Sequence, residues 1–372
     1  MSKDIPIKEA IEDKKSWFNV KRFKIGTIDV NRPEKALDLK STSKENFDKY
    51  IRSSHPFNFF EISKIVSKFE KITALQENED PEINSFFGYA KWRDNKPMSL
   101  NFTFNFNPFN YVKKIEEIDY FFNFYHAYSN PFLFVPNIKI KTSLGRIIDI
   151  DKYIQFVDES FTILNQKNSK PIFVPVSLRM NIKEQREILE HYTKKEYFNY
   201  CFDFEGKHID KVHIGRLRQF NSKLKELGYF DKAVLYYTNI NRVIASIPGQ
   251  EKNPASDVLA SITGANIIGV NRKPQRGIKP IPGRPIPKPK IYPPDHIFRV
   301  FDNTSYYYLK SADKKQHIDE VNRGLNAINL DNEFESQTIY FLKNLEIEKY
   351  LDQKEMLKQY LEGAILKSLI KK

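Results

Sequence analysis

From residue 131 onward, short apolar runs alternate with longer amphipathic stretches. PFLFVPNIKI (131–140), KPIFVPVSLRM (170–180), YFNYCFDFEG (197–206), KAVLYYTNI (232–240) and ANIIGVN (265–271) read as strands rich in β-branched and aromatic residues. Between them, 149–166, 181–195, 216–228 and 253–264 carry apolar residues at helical spacing. Asn181 is placed to cap one of these helices, and Gly228 and Gly264 to close two others. Five strands separated by four helices predict βαβ units and a parallel sheet.

The first half is less regular. Ile7, Ala10 and Ile11 suggest a short helix within 1–20, and 23–30 alternates like a half-buried strand. FNFFEI (57–62) reads as a strand leading into a helix, whose stripe is Ile62, Ile65, Val66, Phe69 and Ile72. In 99–106, Leu100, Phe102, Phe104 and Phe106 share one face, and Asn101, Thr103 and Asn105 share the other. An ordinary amphipathic strand with an exposed polar face is the expectation there. An aromatic helix should occupy roughly 110–128. These three strands bring the total to eight, the number in a (β/α)8 barrel of about 250 residues. An open doubly wound sheet is the alternative, but it usually carries a glycine-rich first turn, and neither GxGxxG nor a P-loop occurs.

Composition adds a boundary. From Asn271 to Ile291, prolines interleave with Arg272, Lys273, Arg276, Lys279, Arg284, Lys288 and Lys290, without an acidic residue. Such density of proline forbids helix and favours an extended chain. The expected organisation is an α/β domain over 1–270, a basic linker or arm over 271–295, and a mainly helical region over 296–372. Its apolar positions, from Ile339 to Leu369, either pack on their own domain or form oligomers. The 372-residue chain carries a net charge of +13, with 30 Phe and 20 Tyr to build a core. Its single cysteine, Cys201, excludes a disulfide framework and a cysteine-based zinc or iron–sulfur site within the chain. No long apolar run suggests a membrane span, and the N-terminus has no apolar signal core, so a soluble cytoplasmic protein is expected. No cofactor is expected. The histidines show no metal-ligand spacing; His208 and His213 are not an i, i+4 pair.

Parallel α/β sheets bind ligands at the carboxyl ends of their strands. Asp29, Lys139, Arg179, Asp203, Glu205, Asn239 and Asn241 fall at such ends. Asp203 and Glu205, two apart on one strand, should point the same way and are the candidate nucleophile or acid–base pair. Arg179 and Lys207 would orient a substrate, unless Arg179 holds one carboxylate in a structural ion pair. Asn239 and Asn241 would read a polar edge, unless they merely begin a loop. The stiff basic segment, with Arg272, Lys273, Arg276, Lys279 and Arg284, would track a DNA or RNA backbone or serve as a linker.

Over roughly 170–280 the chain resembles the tRNA-guanine transglycosylase superfamily. The likeness lies in strand order, in Asn253-Pro254-Ala255-Ser256-Asp257-Val258-Leu259 leading to Gly264-Ala265-Asn266-Ile267-Ile268-Gly269, and in the basic run Asn271-Arg272-Lys273-Pro274-Gln275-Arg276-Gly277. The resemblance implies a barrel that exchanges a guanine-like base in nucleic acid through an aspartate nucleophile. The chain departs from the family where that aspartate belongs: it has Gly269 there. The family's Asp-Ser-Gly motif and cysteine-rich zinc site are also missing, so no catalytic residue carries over. The sequence thus leaves three readings: a barrel enzyme acting on a nucleic-acid base, a non-catalytic nucleic-acid-binding barrel, and an assembly protein.

Overall fold

The computed structural model describes residues 5–39, 43–52, 55–77, 98–142, 145–167, 170–241, 252–271, 298–311, 319–359 and 364–370. The basic proline-rich run that begins at Arg272 lies outside them.

The chain is a mixed α/β fold built on curled parallel sheet. Its parallel strands are β4 (Glu34–Lys35), β5 (Leu37–Asp38), β6 (Phe60–Val66), β7 (Ser99–Phe104), β8 (Leu133–Phe134), β9 (Asn137–Ile138), β12 (Ile172–Ser177), β13 (Asn199–Asp203), β14 (Val234–Thr238) and β16 (Ile267–Ile268). One sheet has the order β4-β16-β14-β13-β12-β8 and the other β5-β6-β7-β9. Only Ala36 separates β4 from β5, and its N–H donates to the Ile268 carbonyl at 2.7 Å, while that of Leu37 donates to Phe59 at 3.0 Å. Between β8 and β9, Val135 likewise donates to Phe173 at 2.8 Å. Two short stretches of chain, 34–38 and 133–138, therefore belong to both sheets.

Helices follow the strands as the amphipathic pattern requires. They are α1 (Lys44–Asn46), α2 (Glu70–Thr73), α3 (Asp119–Tyr128), α4 (Ile150–Asn165), α5 (Ile182–Lys194), α6 (Lys211–Glu226), α7 (Leu259–Ile262) and α8 (Asp319–Asn344). Asn181 caps α5 as expected, within a reciprocal pair: Glu184 N–H donates to Asn181 Oδ1 and Asn181 N–H to Glu184 Oε2, each at 2.9 Å. Gly228 follows α6 at φ +76°, a left-handed closing position.

Several expectations for the first half are corrected. Residues 7–12 form strand β1 rather than a helix, and it pairs antiparallel with β2 (Asn19–Ile25), which pairs with β3 (Ile28–Val30). The alternation over 23–30 is thus a hairpin, and it carries Asp29 away from the parallel strand ends. The first parallel strand is 34–38, whose composition, Glu-Lys-Ala-Leu-Asp, hides it. β6 runs on to Val66 and its helix starts only at Glu70, because Ile62, Ile65 and Val66 serve a strand as readily as a helical stripe. The polar face of β7 is not exposed: Asn101 is 4% and Thr103 0% accessible.

Two small antiparallel units complete the chain: a hairpin of β10 (Lys141–Thr142) and β11 (Gly145–Arg146), and a sheet of β15 (Lys252–Pro254), β17 (Arg299–Asp302) and β18 (Tyr307–Lys310). Helix α8 packs against β4, β5 and β17. Of the C-terminal apolar positions, Ile347, Leu351, Met356, Leu357, Ile365 and Leu369 are buried, and Ile339 and Leu345 are exposed. Among the described residues no helix is long and apolar enough to cross a membrane.

Candidate active site at the strand ends

The concave face of the curled sheet is aromatic at one end and polar at the other. Phe132, Phe134 and Phe173 surround the Tyr236 ring at centroid distances of 4.8–5.7 Å. Above Tyr236 sits Glu61 of β6, with no solvent exposure. Its carboxylate accepts from Tyr236 Oη (2.6 Å), Asn101 Nδ2 (3.0 Å), Thr238 Oγ1 (3.1 Å) and Val270 N–H (2.9 Å). Burial pushes its pKa up despite these four donors. These bonds run from β6 to β7 and across to β14, which fixes the concave direction of Glu61 and Asn101. Nothing in the sequence singled out Glu61 beyond its being charged within an apolar run.

One layer further toward the carboxyl ends, Asp203 faces Thr103 from the opposite side. Asp203 Oδ2 accepts from Thr103 Oγ1 at 3.1 Å, and Oδ1 accepts from Asn239 Nδ2 at 2.7 Å and Glu205 N–H at 2.8 Å. Asp203 is 3% exposed. A carboxylate so held is an organiser: it ties β7, β13 and β14 together and shapes the turn that follows β13. That turn alters the expected geometry, because β13 stops at Asp203 and Glu205 takes φ +51°. Period-two spacing no longer sets where Glu205 points. Asn239, at the end of β14, also lies at positive φ, +58°. Left-handed backbone at non-glycine residues costs energy and clusters at functional sites.

The Glu205 carboxylate is divided. Its Oε2 bonds to Arg179 Nε at 2.7 Å, while its Oε1 is buried with no hydrogen-bond partner among the described residues. Arg179 is 43% exposed at its side chain and Glu205 only 3%. Burial raises the Glu205 pKa, the charge of Asp203 raises it further, and Arg179 and Lys139 oppose the shift. Tyr153 of α4 reaches in from behind, donating toward Asn137 Oδ1 (3.1 Å) and the Pro175 carbonyl (3.2 Å). Its hydroxyl pKa is pushed up by burial and by Cys201, Asp203 and Glu205 nearby.

The structure thus gathers Asp203, Glu205, Arg179 and Asn239 into one cluster. Asn241 stands apart, its Nδ2 donating to the Gly206 carbonyl at 2.9 Å and so bracing the 205–207 turn. Lys207 is exposed on that turn. Arg272, Lys273, Arg276, Lys279 and Arg284 lie outside the described residues. Gly269 borders the Glu61 carboxylate: a Cβ there would lie 2.5 Å from Glu61 Oε2. Among the described residues no group of three or more His, Cys, Asp or Glu is placed to hold a metal ion. A surface groove of about 490 Å³ lies elsewhere, on the antiparallel sheet between Lys8, Glu9, Arg22 and Asp29, and the Glu9–Arg22 ion pair (2.7 Å) lies along it.

No family model matches the chain, and no curated protein matches it. Among solved structures it is similar to GH26C from Muricauda sp., at 12% identity and a TM-score of 0.42, over 64% of this chain and 79% of that one.

Proposed function

We propose that the chain is a (β/α)8-barrel enzyme that performs acid–base chemistry on a base or nucleotide unit of nucleic acid, with Glu205 as the proton-transferring group. The two parallel sheets share chain segments 34–38 and 133–138. That continuity favours a closed barrel over an open doubly wound sheet.

The observation that carries the reading is the divided Glu205 carboxylate. One oxygen is held by Arg179, the other is buried and unbonded among the described residues, and the pKa is displaced upward, the direction a general acid needs. Asp203 positions this group rather than reacting, since its oxygens already accept three hydrogen bonds. Base exchange is the reaction proposed, because of the transglycosylase resemblance over roughly 170–280, whose quoted motifs span 253–277. The basic run from Arg272 would hold the nucleic-acid backbone.

The test is incorporation of labelled free bases into RNA and DNA. Glu205→Gln should reduce incorporation by about 10²–10⁴-fold with an unchanged melting temperature. Equal activity of the variant, or no incorporation by the wild type, would overturn the reading.

The Arg179–Glu205 ion pair and the saturated Asp203 favour a second reading, a non-catalytic nucleic-acid-binding barrel. There, binding survives Glu205→Gln. Neutralising Arg272, Lys273 and Arg276 together should flatten the salt dependence by about one logarithmic slope unit per lost phosphate contact.

A further inference from the structure

Buried polar atoms are almost always hydrogen-bonded, and one left unpaired is destabilising. On the inward face of the strands and just beyond their ends, four side chains carry buried atoms that break this rule. Ser63 Oγ, Asn105 Oδ1, Asn137 Nδ2 and Glu205 Oε1 have no partner among the described residues. Ser63 and Asn137 are each 3% exposed.

Register sets the first three in rising steps along the inward face: Ser63 level with Asn101, Asn137 level with Thr103, and Asn105 one step nearer the carboxyl ends. Ser63 lies two residues beyond Glu61 on the same face of β6 and pairs with Asn101 of β7. Asn105 lies two residues beyond Thr103, and its N–H still donates to the Val66 carbonyl at 2.9 Å. Asn137 is the register partner of Thr103, the residue that touches Asp203. Asp203 in turn receives the Glu205 N–H. Tyr153 has one hydroxyl proton to share between Asn137 and Pro175, so one end of the Asn137 amide stays free whichever way the amide is turned. Arg179, paired with Glu205, and Lys139, whose charge also reaches Glu205, follow the ends of β12 and β9.

We propose that Ser63, Asn105 and Asn137 form a subsite for the hydroxyls of a sugar ring, and that Lys139 and Arg179 receive the phosphate attached to it. The subsite rests on the acid–base reading of Glu205 and gives that site its substrate class, a sugar phosphate unit. Neutral donors and acceptors spaced along one face suit hydroxyls, each of which gives one proton and accepts another. Two exposed or half-buried cations beside them suit phosphate. The unit can come from a nucleotide or from a free sugar phosphate.

Calorimetric titration of the full chain tests this with four probes: ribose 5-phosphate, uridine 5′-monophosphate, uracil and a neutral pentasaccharide. The two phosphorylated sugars should bind, and uracil and the pentasaccharide should not. Tighter binding of the monophosphate than of ribose 5-phosphate would assign the unit to a nucleotide, and the reverse order to a free sugar phosphate. Ser63→Ala and Asn105→Ala should each weaken that binding about tenfold while keeping or raising the melting temperature of the ligand-free protein. Removing an unpaired polar group relieves a cost, whereas removing a structural bond would lower the melting temperature. Lys139→Ala should abolish the preference for phosphorylated sugars. If both variants bind as the wild type does, or lose stability in proportion to affinity, the subsite is wrong. Binding of uracil alone, lost in Glu205→Gln, would overturn the sugar subsite and leave the acid–base site standing. Binding of no probe, together with no base incorporation, would remove both.

Discussion

At Gly269 a side chain has no room. An added Cβ would sit 2.5 Å from Glu61 Oε2, 2.6 Å from the Tyr236 ring and 2.8 Å from Thr238 Oγ1. The three side chains are hydrogen-bonded to one another through the Glu61 carboxylate, so none yields cheaply. Gly269→Ala should therefore destabilise the protein by about 3 kcal/mol, read by urea denaturation. A loss below about 0.5 kcal/mol would mean that the Glu61 cluster is loosely held. The same scale shows what single residues disclose in a sequence. Asp203 and Glu205 were legible as a strand-end pair, because their position follows from strand direction alone. Their unlike roles were not, because the left-handed turn at Glu205 and the three donors on Asp203 come from residues up to 100 positions away. Glu61 was illegible for the same reason. Its meaning lies in Asn101, Tyr236, Thr238 and Val270, which only the curled sheet brings to it.

Elements were read well where one periodicity acts alone. The α4, α5 and α6 helices and the β12, β13 and β14 strands have clean patterns, each helix has a side-chain cap at its start, and Gly228 closes α6. The reading failed where one pattern serves two structures. Residues 60–66 alternate for a strand, yet their β-branched residues also fit a helical stripe. Residues 23–30 alternate as a hairpin does, and alternation cannot tell antiparallel from parallel partners. β4 and β5 are too short and too charged to signal at all. Element stability can be tested at α5, whose amino end rests on the reciprocal Asn181–Glu184 bonds. Asn181→Ala removes a side-chain acceptor from the Glu184 N–H and should cost about 1 kcal/mol. Asn181→Ser should recover most of it. An alanine variant as stable as the wild type would show that packing of Ile188, Leu189 and Tyr192 alone holds the helix.

For the whole molecule, the joint between the first parallel strand and α8 governs how stability responds to pH. Asp331 of α8 accepts from Arg32 (2.7 Å), His55 (2.8 Å) and the Lys35 N–H (2.7 Å), which binds a late helix to the start of the sheet. Beside it, Glu34 accepts both bonds from Asn58 Nδ2 at 3.0 Å. Burial pushes the Glu34 pKa from 4.5 up to about 7, whereas the contacts of Asp331 with His55 and Arg32 outweigh its own burial and hold its pKa below 3.8. The two carboxylates therefore act in separate windows and with opposite sign. Above pH 4.5 the unfolded chain gives up the Glu34 proton while the folded chain keeps it, so the folded state binds more protons and stability falls as pH rises. The Glu34 contribution is fully present below pH 4.5 and is lost as pH passes about 7. The Asp331 contribution is present above pH 3.8 and is lost only as the medium turns more acidic than that. Between pH 4.5 and 8, then, the change in stability that Glu34 brings to this joint totals on the order of 3 kcal/mol. Glu34→Gln keeps an acceptor for Asn58 and removes the titration. Urea denaturation at pH 5 and pH 8 should show the wild type losing more stability across that interval than the variant does, with the variant the more stable of the two at pH 8. Parallel losses in both proteins would mean that Glu34 is solvated in the folded state and that α8 does not close over it.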